Sequence, residues 1–214
     1  MIDTIFKLVW SLPALLFAIT VHEYSHGKMA DFLGDPTPRL AGRLTLNPMA
    51  HLDPIGAISL LIFRFGWAKP VPINPMNFKN YKRDTMLTAL AGPFSNFISA
   101  FLFSWAFKIS MKLIGYIPSS AIPHVGFEFI RGWFIMLSYG VIFNLVLAIF
   151  NLIPIPPLDG SLILFSLLPT KWEYEIEKYK SYSYILLIIL VFTGVIGKIL
   201  YPALNFFLIT FNLL

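Results

Sequence analysis

Long apolar runs alternate with polar, proline-rich stretches along this chain, and the lengths of the apolar runs predict its elements. Three runs are each long enough to cross a hydrocarbon core of about 30 Å as a single helix. They cover residues about 4–29, 87–111 and 132–150. The pattern therefore predicts an all-α polytopic membrane protein with a core of three transmembrane helices, folded as a single domain over residues 1–214.

A fourth apolar run, residues 182–214, is too long for one upright span. Its glycines, a lysine and a proline favour a break into two C-terminal membrane helices, at 182–196 and 199–213, and one long tilted helix remains an alternative. The charged stretch before it, residues 170–181, is typical of a segment lying at the membrane interface.

Residues 30–83 are rich in proline, glycine, asparagine and basic side chains. Inside this region, residues 55–66 are apolar but too short to span the membrane, so we expect them to re-enter it. Their β-branched and aromatic content, followed by Gly66 and Pro70, predicts a short β element. The edge of such a strand would offer a place for an extended peptide substrate.

Composition agrees with a membrane protein. Hydrophobic residues make up 57% of the chain and charged residues only 13%, where a soluble domain carries about 25% charged residues. The net charge of +5 comes from basic side chains scattered through the loops, as the positive-inside rule expects, so we predict no nucleic-acid partner. The same rule assigns the loop 30–83 to the cytosolic face. The C-terminal third of the first span, which leads into this loop, should therefore lie near that face.

The first apolar run contains the most informative motif, His22-Glu-Tyr-Ser-His26. On a helix His22 and His26 lie one turn apart on the same face, so both imidazoles can bind one metal ion, with Glu23 beside them. A chance HExxH on an ordinary helix is the alternative, but two histidines and a glutamate have no evident purpose in an apolar span. The run after Lys7 has the length of a signal peptide, yet the motif occupies the place of a cleavage site, so we expect the run to be retained.

A catalytic zinc ion needs three protein ligands and an open position for water. The chain has no cysteine, so the third ligand must be a histidine or a carboxylate. Asp159 is the best-placed candidate, because it follows a proline-broken segment close to the membrane and an unpaired carboxylate there is costly. Considered by itself, Asp159 is equally consistent with a structural role as the N-cap of a helix that begins at Gly160. Glu23 would take a proton from a metal-activated water and pass it to the leaving amine.

Five motifs follow one another along the chain: HEYSHG (22–27), NPMAHLDPIG (47–56), GWAKPVPIN (66–74), AGPFSN (91–96) and NLIPIPPLDG (151–160). As a set they resemble the motifs of the site-2 proteases, the zinc intramembrane metalloproteases of peptidase family M50. The similarity covers most of residues 18–165 and is closest to the small branch without PDZ or CBS domains.

The resemblance implies an endopeptidase that binds one Zn²⁺ per chain and cuts transmembrane helices of other proteins, often after an earlier cut outside the membrane (regulated intramembrane proteolysis). It implies a multi-pass protein of the plasma membrane, and it leaves self-association open. By motif position, Glu23 is the general base. The implied zinc ligands are His22, His26 and Asp159.

Further roles follow from the same comparison of motifs. Asn96 and Asn151 match family asparagines that contact the substrate or the oxyanion, with an interhelical hydrogen bond as the alternative for each. His51 and Asp53 also match, and we predict structural roles for them in the re-entrant loop. The chain departs from some relatives in having Pro-Pro-Leu-Asp-Gly where they have Asn-Pro-Asp-Gly.

Two other functions are alternatives for a membrane protein with this motif. A di-iron desaturase or hydroxylase needs about twice the four histidines of this chain. A catalytically inactive membrane scaffold that still binds zinc is the remaining alternative, and the presence of every candidate catalytic residue argues against it.

Overall fold

The computed structural model describes residues 2–63, 66–118, 120, 122–169, 171 and 180–213. Nearly all regular structure in these ranges is helical. The helices are α1 (Ile2–Phe32), α2 (Thr37–Leu40), α3 (Pro54–Phe63), α4 (Tyr81–Ile114), α5 (His124–Asn151), α6 (Asp159–Leu167), α7 (Lys180–Phe192) and α8 (Val195–Thr210), with short 3-10 helices at Pro48–Ala50 and Pro75–Asn77.

Helices α1, α4 and α5 are long and apolar enough to cross a membrane. They contain 31, 34 and 28 residues, or about 42–51 Å of helix at 1.5 Å per residue. The structure thereby supports an integral membrane protein with a nearly all-helical fold, in which three of the described helices, or four spans if the bent C-terminal pair counts as one, can cross the membrane.

The C-terminal apolar run is broken rather than continuous. Helices α7 and α8 meet at an angle of 68°, and the bend coincides with Gly194, whose φ of 76° lies in the left-handed region that glycine adopts most easily. The break falls a few residues earlier than the sequence suggests. Most of the expected interfacial segment, namely residues 170 and 172–179, lies outside the described residues.

The predicted β element at 55–66 is wrong. Residues 54–63 form the helix α3, and the described part of this region contains only an isolated bridge between Leu52 and Ala68; Arg64 and Phe65 lie outside the described residues. The Asp53 carboxylate accepts the backbone N–H of Gly56 at 2.9 Å, and Pro54 follows as the first helical residue, which is a strong helix start. A helix also satisfies the backbone of an apolar segment internally. The strand edge assigned to substrate binding is lost with it.

Small residues allow α1, α4 and α5 to pack closely. The buried face of α1 repeats every four residues, which places its two histidines among alanines and inside the bundle. The residues of this face are Ala14, Ala18, His22, His26 and Ala30. Two glycines of α5 contact aromatic rings directly, because a Cβ at Gly132 or Gly140 would lie 2.1 Å from Trp10 or 2.4 Å from Phe103.

Candidate metal centre

The two motif histidines lie deep in the helix bundle. His22 and His26 have exposed fractions of 4% and 6%, and their Nε2 atoms are 3.0 Å apart. Their four-residue spacing on α1 places both rings on one face, as the sequence predicts. The pair therefore presents two nitrogen atoms to a single point inside the protein.

Asp159 completes the cluster from a distant part of the chain. It is the first residue of α6, and Leu158 rather than Asp159 occupies the N-cap position, without any side-chain capping hydrogen bond. Its Oδ2 lies 3.2 Å from Nε2 of both histidines. A Cβ at the next residue, Gly160, would lie 2.3 Å from the carbonyl oxygen of Leu152, so this glycine lets α6 begin directly against the proline-broken turn.

Hydrogen bonds to the other ring nitrogens define the tautomer that each histidine adopts when its ring is neutral. Nδ1 of His26 lies 2.7 Å from the carbonyl oxygen of Thr88, which can only accept, so Nδ1 carries the proton. Nδ1 of His22 lies 2.6 Å from Oδ1 of Asn96 and donates to it in the same way. Both Nε2 atoms therefore present lone pairs to the centre of the cluster.

The cluster fits a metal cation. Oδ2 of Asp159 is buried and has no hydrogen-bond donor, and it faces two nitrogen lone pairs, an arrangement that only a positive charge satisfies. Two imidazoles and one carboxylate match the donor set of catalytic zinc, which leaves the fourth position open. In the described part of the chain this is the only group of three such side chains whose ligand atoms come together, all within 4.8 Å of one another.

Gly92 keeps the space beside this cluster open. A Cβ at position 92 would lie 2.3 Å from Nε2 of His26 and 2.8 Å from Cε1 of His22. The sequence analysis includes Gly92 only as part of the AGPFSN motif (91–96) and assigns it no role at the site. Its position one helical turn before Asn96 was the available signal, because both residues lie on the α4 face that meets α1.

Glu23 is held by a loop backbone. Its Oε2 accepts the backbone N–H of Val71 at 2.9 Å. The buried Arg43 donates to the two preceding carbonyl groups, those of Lys69 at 2.6 Å and Pro70 at 3.0 Å. The loop and α1 therefore fix the carboxylate beside the histidines from two directions.

The remaining predicted site residues lie around the cluster or away from it. Asn96 is fully buried, and its Oδ1 accepts from His22, whereas the Asn151 amide donates to Leu147 O of its own helix at 2.9 Å. His51 is fully buried, with Nε2 2.8 Å from Thr45 O, and Asp53 lies at the start of α3. None of the four belongs to the group of metal-ligand atoms.

A membrane-embedded cluster of this kind defines a class of metal-dependent hydrolases, and comparisons with known proteins identify the family. The profile of Peptidase family M50 matches residues 122–194. The protein named "Putative zinc metalloprotease YwhC" of Bacillus subtilis is 38% identical over 191 residues, covering 89% of this chain and 84% of its own length. The protein named "Putative zinc metalloprotease Rip2" of Mycolicibacterium smegmatis is 26% identical over 188 residues, covering 86% of this chain and 66% of its own length.

The chain belongs to Peptidase family M50 and is a zinc metalloprotease. The predicted family, enzyme class and cofactor are thereby confirmed. Neither relative supports the inactive scaffold that the sequence left as an alternative. No solved structure matches the chain significantly.

Proposed function

We propose that this protein is an intramembrane endopeptidase that hydrolyses peptide bonds in transmembrane substrate proteins. The observation that carries the proposal is the cluster of His22, His26 and Asp159, whose ligand atoms lie within 4.8 Å of one another in the interior of a bundle of apolar helices. We assign these three residues as zinc ligands and Glu23 as the general base.

Zinc supplies Lewis acidity at this site, which activates water and polarises the carbonyl group of the scissile bond. Glu23 removes a proton from the attacking water, whose oxygen forms the new bond to the carbonyl carbon. When the C–N bond breaks, Glu23 returns the proton to the leaving amine nitrogen. The backbone N–H of Val71, 2.9 Å from Oε2, keeps the carboxylate oriented for both transfers.

An apolar groove beside the motif supports a membrane-embedded substrate. A cavity of about 520 Å³ lies along α1 and is bounded by the loop residues Leu46 and Pro48. It reaches Thr20 and Val21, the residues directly before His22. By helix periodicity Thr20 lies one turn before Glu23 on the same face of α1, and about half a turn around the helix from His22. A substrate segment arriving from the lipid would therefore meet an apolar wall that leads towards the proposed base, so we assign the substrate to the class of transmembrane helices and the process to regulated intramembrane proteolysis.

The chain distributes its basic residues unevenly. Eight of its 16 lysines and arginines lie between residues 28 and 83, on the side of the membrane where α1 ends and α4 begins. By the positive-inside rule, we assign this side to the cytosol and the protein to the plasma membrane. A single domain over residues 1–214 provides all three ligands from one chain, so the site does not require a second copy.

The assignment of Glu23 is tested by Glu23→Gln, which removes the base but preserves the shape of the side chain. We expect cleavage of a co-expressed single-span substrate to fall by roughly 10²–10⁴-fold, the range of general-base contributions, while the purified protein keeps its zinc. Asp159→Ala, in contrast, should lose zinc as well as activity.

Glu128→Gln provides the matched control. Glu128 is paired with Arg131 in the N-terminal part of α5, away from the cluster, so this variant should cleave normally. Cleavage by Glu23→Gln at the wild-type rate would exclude Glu23 as the base, and undiminished zinc in Asp159→Ala would remove Asp159 from the ligand set.

A further inference from the structure

Asn144 is a fully buried polar residue in the middle of the apolar helix α5. Its Oδ1 accepts from Nδ2 of Asn96 at 2.8 Å, and its own Nδ2 donates to the carbonyl oxygen of Gly140 at 2.7 Å. A buried amide is costly unless it is hydrogen-bonded, and an aliphatic residue would pack equally well among apolar helices. The position of Asn144 therefore calls for a role other than packing.

The hydrogen bonds of Asn144 have only one consistent direction. The Gly140 carbonyl can only accept, so the NH₂ group of Asn144 must point towards it and its oxygen must point towards Asn96. Asn96 in turn directs its NH₂ group at two acceptors, Oδ1 of Asn144 and the carbonyl oxygen of Ala18 at 3.0 Å. Its own Oδ1 is left facing His22.

The orientation of the Asn96 amide determines which nitrogen of His22 carries a proton. Oδ1 of Asn96, 2.6 Å from Nδ1 of His22, requires a proton on that nitrogen. In the neutral ring Nε2 is then unprotonated and carries the lone pair that a metal ion needs. The three side chains form one chain of hydrogen bonds across α5, α4 and α1, which we call the asparagine relay (Asn144, Asn96 and His22).

We propose that Asn144 is a positioning residue for the zinc site, which acts through Asn96 to hold His22 in the tautomer that binds metal. The proposal gives Asn96 a role as an intermediate in this relay rather than as a contact to substrate. It rests on the proposed ligation of zinc by His22. Of the two acceptors that orient the Asn96 amide, only Asn144 is a side chain, so it is the one that substitution can remove.

Two nearly isosteric substitutions separate this role from packing. Asn144→Leu removes the acceptor for Asn96, so the Asn96 amide can turn over more easily and His22 should populate both neutral tautomers. Asn144→Asp keeps an oxygen facing Asn96 in either protonation state, so it should preserve the Nδ1-protonated tautomer. Val141→Ala, at a fully buried apolar position three residues earlier on α5, is a packing control that should change neither tautomer nor zinc affinity.

The direct measurement is ¹⁵N NMR of histidine-labelled, metal-free protein in detergent, with the His22 signal assigned by a His22→Gln variant. Only four histidines contribute signals. Zinc affinity, measured by competition with a chelator, is the second readout. We expect it to fall roughly tenfold in Asn144→Leu, at the lower end of the effects of lost hydrogen-bond partners of metal ligands, and to stay within about threefold of wild type in Asn144→Asp.

A neutral His22 ring that carries its proton on Nε2 instead of Nδ1 in the wild-type protein would overturn the relay, and so would identical tautomers and affinities in Asn144→Leu and Asn144→Asp. If Asn144→Leu does not fold, the tautomers of wild type and Asn144→Asp still decide, since Nε2 protonation in either contradicts the proposal. Full zinc binding by His22→Gln would instead refute the proposed ligand set, which distinguishes that failure from failure of the relay alone.

Discussion

At the scale of single residues, the metal centre depends on a missing side chain as much as on its ligands. Gly92 lies on α4 opposite both histidines, and the hydrogen atom of its Cα allows α4 to approach α1 closely enough for Thr88 and Asn96 to reach the imidazoles. A larger residue would occupy volume beside the proposed metal ligands His22 and His26. Gly92 therefore leaves the space that the site needs, whereas Thr88 and Asn96 supply hydrogen-bond acceptors to the imidazoles.

Gly92→Ala is expected to remove zinc binding, because its Cβ would lie 2.3 Å from Nε2 of His26 and the rings would have to move. The loss of affinity should exceed the roughly 10–100-fold that follows from losing an outer hydrogen-bond partner of a ligand. Metal content of the purified variant checks this.

Gly197→Ala is the matched control for that substitution, since a Cβ at position 197 in α8 meets nothing within 4 Å. It should bind zinc as the wild type does. Zinc bound to Gly92→Ala with wild-type affinity would mean that the metal position lies elsewhere.

At the scale of elements, the loop between α3 and α4 links the turn after α1 to Glu23 through hydrogen bonds. The fully buried carboxylate of Asp35 ties the turn after α1 to this loop. Its Oδ1 accepts from the backbone N–H and hydroxyl of Thr37 and from Nδ2 of Asn77, and its Oδ2 accepts the backbone N–H of Asn74 at 2.7 Å. The same loop supplies the N–H of Val71 to Glu23, so its order bears on the geometry of the proposed base.

Burial would raise the pKa of Asp35, but the hydrogen bonds from Thr37, Asn74 and Asn77 outweigh it and hold the pKa below its ordinary value of 3.8. A carboxylate with a lowered pKa stabilises the folded state fully above its unfolded pKa and loses that contribution as the pH falls through the folded value. Asp35→Asn replaces Oδ2 with an NH₂ group facing the N–H of Asn74, which should cost about 1–3 kcal/mol at neutral pH.

The difference in unfolding free energy between wild type and Asp35→Asn should stay constant from pH 7 to about 5 and shrink below 3.8. Unfolding in detergent at several pH values measures it. Asp53→Asn, in which Oδ1 can still accept from Gly56, is the control and should unfold much like wild type. A difference that remained unchanged at pH 3 would show that Asp35 does not contribute as an ion.

At the scale of the whole molecule, the two ends of the bundle differ in charge and in structure. One end carries the metal centre, the extended loop and α6, and the other carries the short connection between α4 and α5. Met76 and Tyr116 lie at opposite ends of α4 and are exposed by 84% and 73% of their surface. They provide one reporter position for each side of the membrane.

The absence of cysteine makes the orientation directly measurable. With single substitutions, Tyr116→Cys should react with a membrane-impermeant maleimide on intact cells, and Met76→Cys only after permeabilisation, because the basic loops favour the cytosol. The unsubstituted protein, which cannot react, is the control. The opposite labelling pattern would place the metal centre on the outer face.

The sequence predicts much of the site because its strongest signals are local. The spacing of His22 and His26 determines their shared face once a helix is assumed, and the apolar length of the run supplies that helix. The prediction of a β element was wrong because it rested on the overall composition of a segment and not on a local signal. Side-chain composition favours a strand, whereas Asp53 followed by Pro54 is the stronger local signal and favours a helix start.

The sequence by itself therefore determined that the protein folds in lipid and which chemical groups it brings together. Its long apolar runs must be helical in a membrane. One motif places two imidazoles and a carboxylate within a single helical turn. Only the tertiary structure decided the partners. Whether Asp159 caps a helix or faces the histidines, and which way the amides of Asn96 and Asn144 point, depends on side chains that meet across 48 to 137 positions of chain (144 − 96 and 159 − 22). Hydrogen-bond direction is a property of pairs, and a linear sequence does not specify which pairs will form.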